Sequence, residues 1–409
     1  MSRRDRIIEA AKILVIHNNK EDKKSSPKGE RKQKMKIVVS KSELQKGVST
    51  VSKAVPVRTT IPILECIKID ASEKEIKLIA TDTQFGIETV IDGTIEERGI
   101  IALNARFFES VVNKLKDSDV TIETDERYGT TITCDNIKLQ MNGQSGEEFT
   151  PLPIVPKKNP IEISQMSLGK IIRQTIFSIS DNEERKIMTG EQFKTEDDLL
   201  TVVSLDGHRI SIRKLRLADP APENDVVISG KTLKEISKII SDKTDEKVKI
   251  YITDVPEEKK NEMTQYISFD FDKTTVVATL LPGNFFGVEH MIVDEYATKV
   301  KVDKKSLLDC IDRSTLFVKE GDKKPIIMNI TDGNMELMIS SMLGSMDENL
   351  MIEKEGEDVK IAFNPKFFID ALRAIDDDTV NLYFINSKSP CSIKDDTGTY
   401  LYMILPVNF

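Results

Sequence analysis

The sequence has 409 residues, 39% of them hydrophobic, with 59 Lys or Arg against 68 Asp or Glu and a formal net charge of -9. That length exceeds one ordinary domain and calls for two or three, and no apolar run approaches the roughly 18 residues of a membrane-spanning helix. Cys66, Cys134, Cys310 and Cys391 are scattered without a CxxC pair, which argues against a zinc site or a compact disulfide framework and makes a reducing cytoplasm the expected location. An evenly spread negative charge would repel nucleic acid, so the distribution of charge matters more than its total.

Residues 1–34 carry eleven Lys or Arg against five Asp or Glu and lose almost all apolar residues after Asn18, the composition of a basic flexible tail. The opening Arg3, Arg4, Arg6 and apolar stretch mimic a secretory signal, but Glu9 and Lys12 interrupt it and no small-residue cleavage site follows. Residues 4–16 could form a short amphipathic helix.

From Met35 the chain repeats itself. A strand-helix unit opens at MKIVVSKSELQKGVSTVSKAV and recurs at IEISQMSLGKIIRQTIFSI and KVKVDKKSLLDCIDRSTLFV, with Leu44, Leu168 and Leu307 spaced by 124 and 139 residues. A strand-helix-strand unit follows in each repeat, and its Phe108, Leu233 and Phe368 are spaced by 125 and 135 residues. Two independent markers with one period predict three modules, 35–157, 158–290 and 291–409. Candidate linkers are the Pro-rich TPLPIVPKKNP and the stretch Gly287 to Ala297. Alternating runs such as LLTVVSL and IKLQM predict half-buried antiparallel strands, so the expected fold class is α+β with two helices per module packed on antiparallel sheets.

The six predicted helices, over residues 41–53, 106–116, 167–179, 231–243, 304–313 and 366–373, hold 17 Lys or Arg but only 7 Asp or Glu. Solvent-facing helices are often Lys-rich. Recurrence on all six instead predicts a positive surface for a phosphate backbone, which reads no base sequence.

Three segments then carry a family resemblance over residues 35–409: VPVRTTIPILECIKI, ERKIMTG with VVSLDGHRISI, and the C-terminal YMILPVNF. The chain resembles the β sliding clamp, the beta subunit of the bacterial DNA polymerase III holoenzyme. The resemblance implies a ring made by a head-to-tail homodimer of three-module subunits, encircling double-stranded DNA as a processivity factor. It implies as partners the replicative polymerase, a clamp loader and other proteins bearing clamp-binding peptides, and it implies no catalysis, cofactor, metal or membrane. The absence of a GxxxxGK[ST] loop leaves ATP chemistry to the loader. Carried over onto this chain, the peptide groove comprises Met188, Leu205, Gly207, His208, Arg209, Ile210, Phe286, Met291, Met403 and Leu405, with Asn364 and Phe367 at its edge. Ile210 is equally well read as a core residue. Arg58, Asn182, Arg185 and Lys186 are the implied DNA contacts, and Leu139 is expected to meet Leu316 and Phe317 of a second copy. One departure stands out: the family usually reads Asp-Gly-Arg-Phe-Pro-Asp-Tyr where this chain has Pro282 to Val288. That segment and the basic tail motivate an alternative, a paralogue that binds partners without supporting replication. A hydrolase using Asp206 and His208 is a further alternative, but no nucleophile motif accompanies the pair, and Asp82 occupies the equivalent place in the first module without a His.

Overall fold

The computed structural model describes residues 34–255, 263–292, 295–318 and 324–408. Apart from Lys34, the basic extension and its amphipathic stretch lie outside the described residues. Six α-helices are present among those described: α1 (Lys41–Val51), α2 (Ala105–Lys114), α3 (Gln165–Arg173), α4 (Gly230–Ile236), α5 (Lys304–Ser314) and α6 (Pro365–Ala374). Local chemistry sets where they start. Ser40, Asn104, Ser164, Asp303 and Asn364 each accept a first-turn backbone N–H through the side chain, satisfying donors that a helix leaves unpaired. Pro365 occupies the first turn of α6, where its missing N–H costs nothing.

Each helix buries a stripe of apolar residues three and four apart, such as Leu44, Val48 and Val51 on α1 or Phe368, Ile369 and Leu372 on α6. α4 stops at Ile236, short of the expected 243. There Ser237 Oγ donates to the Lys234 carbonyl, and the following amides of Lys238 and Ile239 bond three residues back, to Glu235 and Ile236. Such tight turns do not propagate an α-helix.

The strands are antiparallel throughout, and those of different modules join edge to edge. Strand Phe85–Ile91 of the first module pairs with strand Thr274–Leu281 of the second, with Gly86 opposite Val277 and Ile87 opposite Val276. Strand Arg209–Arg216 of the second pairs with Tyr400–Ile404 of the third, with Ile212 opposite Leu401. Both seams obey one rule, in which the strand after an Asp-containing turn receives the last strand of the next module. The turn itself repeats: Asp82 accepts the amides of Gln84 and Phe85, and Asp206 those of His208 and Arg209, each an Asp side chain closing its own turn.

The linkers are ordered across these seams. Leu152 occupies the space that a side chain at Gly86 would need, its Cδ2 falling 2.2 Å from the position of a Cβ there, while Val155 packs with Tyr251 and Val277. Lys157 adds an ion pair of 2.6 Å to Asp270. At the second seam the buried Val288 packs with Ile212 and Leu401. No helix among the described residues is long and apolar enough to cross a membrane.

Candidate functional site

Most of the residues predicted for the groove gather at the second seam. The turn Asp206 to Arg209 needs Gly207 at φ +89, a left-handed conformation that side chains resist, and its tight geometry projects His208 outward. The His208 carbonyl accepts the Leu405 amide at 2.9 Å, and the Val407 amide reaches Ala362 O at 2.9 Å, so the C-terminal tail is stitched both to this turn and to strand Val359–Phe363 of its own module. Met188, Val203, Leu205, Ile212 and Val288 form a buried cluster, with Ile210, Phe285, Ile292 and Leu401 packed against it. Met403 lies opposite Ile210 on the paired strands. Met291, Phe286 and Leu405 remain 49%, 43% and 41% exposed. The result is a shallow apolar strip in which the predicted Met188, Leu205 and Met403 lie buried beneath the surface and Met291 is the exposed methionine, a flexible side chain that can adapt to several partners.

His208 stacks on Phe367 with ring centroids 6.0 Å apart, and Asn364, at the start of α6, spends its side chain as the helix cap. In the divergent segment, Phe285 packs inward while Phe286 meets it edge-on at 6.0 Å and projects to solvent. Arg209 departs from the expected role of groove wall. It is 8% exposed, ion-paired to Asp206 at 2.9 Å and Asp370 at 2.7 Å, and turned toward the junction of the modules. Asp206 is accordingly engaged by two turn amides and this guanidinium, an arrangement of a structural turn rather than of a carboxylate poised beside an imidazole base.

Arg58, Arg185 and Lys186 are exposed. Arg58 lies in a loop braced where Arg106 Nη2 donates to Val57 O at 2.8 Å; Asn182 caps the short helix Glu183–Thr189 by accepting the Glu184 amide. The helix faces are basic but partly neutralised: Lys170 and Arg173 pair with Asp376, Arg373 with Asp312, Arg313 with Glu348, and Lys231 with Asp82. Three of these links, Lys231 to Asp82 and both Lys170 and Arg173 to Asp376, join one module to the next.

Two strand edges that correspond to those joined at the internal seams lack a partner among the described residues. Gly344–Met351, the third module's counterpart of Phe85–Ile91 and Arg209–Arg216, pairs on one side only. So does most of Ile137–Ser145, the last strand of the first module. Leu316 is 74% exposed, and the Phe317 ring lies 3.4 Å from where a Cβ on Gly344 would stand. Both therefore border the first of these edges, and Leu139 lies on the second.

Three family models cover the chain in succession: the DNA polymerase III beta subunit N-terminal domain over residues 35–153, its central domain over 162–286 and its C-terminal domain over 289–408. The chain belongs to the DNA polymerase III beta subunit family. A beta sliding clamp of Staphylococcus aureus is 32% identical over 368 residues, covering 87% of this chain and 94% of the relative. A crystal structure of a DNA polymerase III beta subunit from Eubacterium rectale is 57% identical, with a TM-score of 0.87 over 92% of this chain and all of that one. Clamps from Pseudomonas aeruginosa and Bartonella birtlesii, crystallised bound to griselimycin, share the fold at 19% and 24% identity with TM-scores of 0.84 and 0.83, each covering 92% of this chain and all of the other. The family is a non-catalytic processivity factor of replication, and the function of this chain is that of a DNA sliding clamp.

Sequence reasoning missed the residues that join the walls of the strip. Asp370, Phe177, Val288 and Leu401 come from separate segments, and only Val288 lies in a stretch that the sequence marks as unusual. The repeated Asp turn was the available signal, because it marks the strand that takes up the neighbouring module.

Proposed function

We propose that two copies of this chain close head to tail into a ring of six modules, in which the edge Gly344–Met351 of one copy receives strand Ile137–Ser145 of the other. Duplex DNA passes through the ring against Arg58, Asn182, Arg185 and Lys186. The strip at the second seam captures peptides from the replicative polymerase, the clamp loader and other DNA-handling proteins, so tethering rather than catalysis raises the local polymerase concentration. The modules run 35–157, 158–290 and 291–409.

The observation that carries this reading is the seam rule, used twice within the chain and leaving one matching edge of each kind. The strand pairs also give a register. Within the hairpins, Gly86 opposite Thr81, Ile210 opposite Leu205 and Ser345 opposite Ser340 are equivalent, as are Ile137 opposite Cys134 and Thr274 opposite Phe271. Transferring the first seam onto these equivalents sets Met346 against Leu139 and Asp347 against Lys138. Side-chain direction agrees: Met346 and Leu139 are half-buried, on the inward faces of their strands, while Asp347 and Lys138 are exposed. A slip of one residue would oppose an inward to an outward side chain. Pairing would also cover exposed edges that otherwise invite aggregation.

The test is the particle mass in solution, expected at twice the 46.1 kDa of one chain, together with primer extension by a cognate polymerase and loader. A monomer at micromolar concentration would overturn the ring; a ring that fails to lengthen products would favour the partner-binding paralogue.

A further inference from the structure

The Arg209 guanidinium sits between two modules with its donors directed away from the apolar strip. Nε donates to Asp206 Oδ2 at 2.9 Å, Nη1 to Asp370 Oδ2 at 2.7 Å, and Nη2 to the Phe177 carbonyl. Its plane is also held between rings, 4.6 Å from the Phe367 centroid and 5.4 Å from that of Phe177. Phe367 in turn carries the stacked His208. Two walls of the groove, the Asp206 turn of the second module and α6 of the third, therefore meet on one cation.

We propose that Asp370 is a positioning residue of the peptide groove, setting the spacing of His208 and Phe367 through Arg209 without touching the peptide. The inference rests on the groove reading above. Asp370 supplies the bond that ties the guanidinium to α6, whereas Asp206 and Phe177 both belong to the second module. Loss of its charge removes the ion pair between Arg209 and α6 and leaves the ring contact with Phe367 as their link, so the spacing of Phe367 and His208 is held less tightly. Lysine at 209 could not substitute, because a point ammonium cannot form a planar fork to three acceptors while filling the gap between two rings. The 23% exposure of the Asp370 side chain, against 8% for Arg209, leaves the pair shielded enough for its geometry to matter.

The experiment measures the affinity of fluorescently labelled griselimycin for the full chain and for Asp370→Asn, Arg209→Lys, the double variant and Asp370→Glu. Each single variant is expected to weaken binding about tenfold, the equivalent of roughly 1.4 kcal/mol, and the double variant to be no weaker than either, since both remove one link. Asp370→Glu, which keeps the charge, should recover most of the affinity. Unchanged binding by Asp370→Asn would overturn the inference, as would additive losses in the double variant, which would mean that Arg209 meets the ligand independently. If Asp370→Asn does not fold, the comparison of Arg209→Lys with Asp370→Glu decides: losses of equal size in both would mean that charge at 370 is not what matters and would overturn it. No binding by the unaltered chain would instead remove the groove reading itself, and this inference with it.

Discussion

The intermolecular register can be tested by exchanging charges. Lys138 and Asp347 are both exposed in the single chain and stand opposite each other in the proposed seam. A favourable cross-strand charge pair contributes roughly 0.2 to 1 kcal/mol, and like charges in its place cost a similar amount. Lys138→Asp therefore shifts one seam by about 1 kcal/mol. A closed two-copy ring contains two such seams, so the dimer should lose about 2 kcal/mol, roughly a thirtyfold rise in its dissociation constant. The reverse substitution, Asp347→Lys, should act alike, and the chain bearing both changes should regain most of the affinity because the opposite charges are restored with exchanged signs. Sedimentation over a nanomolar to micromolar dilution series, at low and high salt, reads all four states; the differences should shrink with salt as exposed charges are screened. If the doubly substituted chain is as weak as the sum of the single ones, the two residues do not face each other and the register transferred from the first seam is wrong.

Arg58→Ala with Lys186→Ala should lower affinity for duplex DNA and make its dependence on salt shallower, by about 0.9 in the logarithmic slope for each phosphate no longer neutralised; an unchanged slope would remove these residues from the DNA face. Deleting the five residues from Leu405 removes the amide bonded to the His208 carbonyl, so griselimycin binding should be abolished while thermal unfolding stays cooperative, and retained binding would refute the groove. Glu191 is fully buried with neither carboxylate oxygen hydrogen-bonded, and burial pushes its carboxyl well above the usual range, against a weaker pull from Thr175 and Lys234. The folded chain thus holds it neutral while the unfolded chain ionises near pH 4.3. Its contribution is fully present below that pH and is lost as pH rises toward the folded value, at up to about 1.4 kcal/mol per unit. Glu191→Gln should flatten this fall, so the melting temperatures of the two chains should diverge between pH 4 and pH 7; parallel curves would contradict the assignment.

Much of the architecture was legible because it is repeated. Leu44, Leu168 and Leu307 fall in equivalent helices, and Asp82 and Asp206 close equivalent turns. Part of the site was legible for another reason, since His208, Met403 and Leu405 lie in short segments that carry the family resemblance. Partnerships between distant residues were not. Asp370 stands 161 residues from Arg209, and nothing in an amphipathic helix marks one acidic residue as the mate of a particular arginine, so the family resemblance assigns Arg209 to the peptide. The edge Gly344–Met351 was hidden by its own composition: GSMDENLM is too polar to read as an interface, and only the pairing pattern of the other two modules reveals what it lacks. α4 ended early because the balance between Ser237 and the helix backbone is a local competition that hydrophobic periodicity does not register.

The linkers lying over both internal seams bear on how a closed ring would come apart. Leu152 and Val155 straddle the paired residues Gly86 and Val277, and Val288 covers Ile212 and Leu401. Each internal seam thus has a strap of its own chain across it and re-forms at the effective concentration that a short tether imposes. The junction between copies would use the same ladder of hydrogen bonds with no strap and no tether. Six modules joined by one kind of contact would then have two kinds of joint, hinges that stay shut and a pair of latches. A loader acting on such a ring would need to work only at a latch, and every tether would survive the opening.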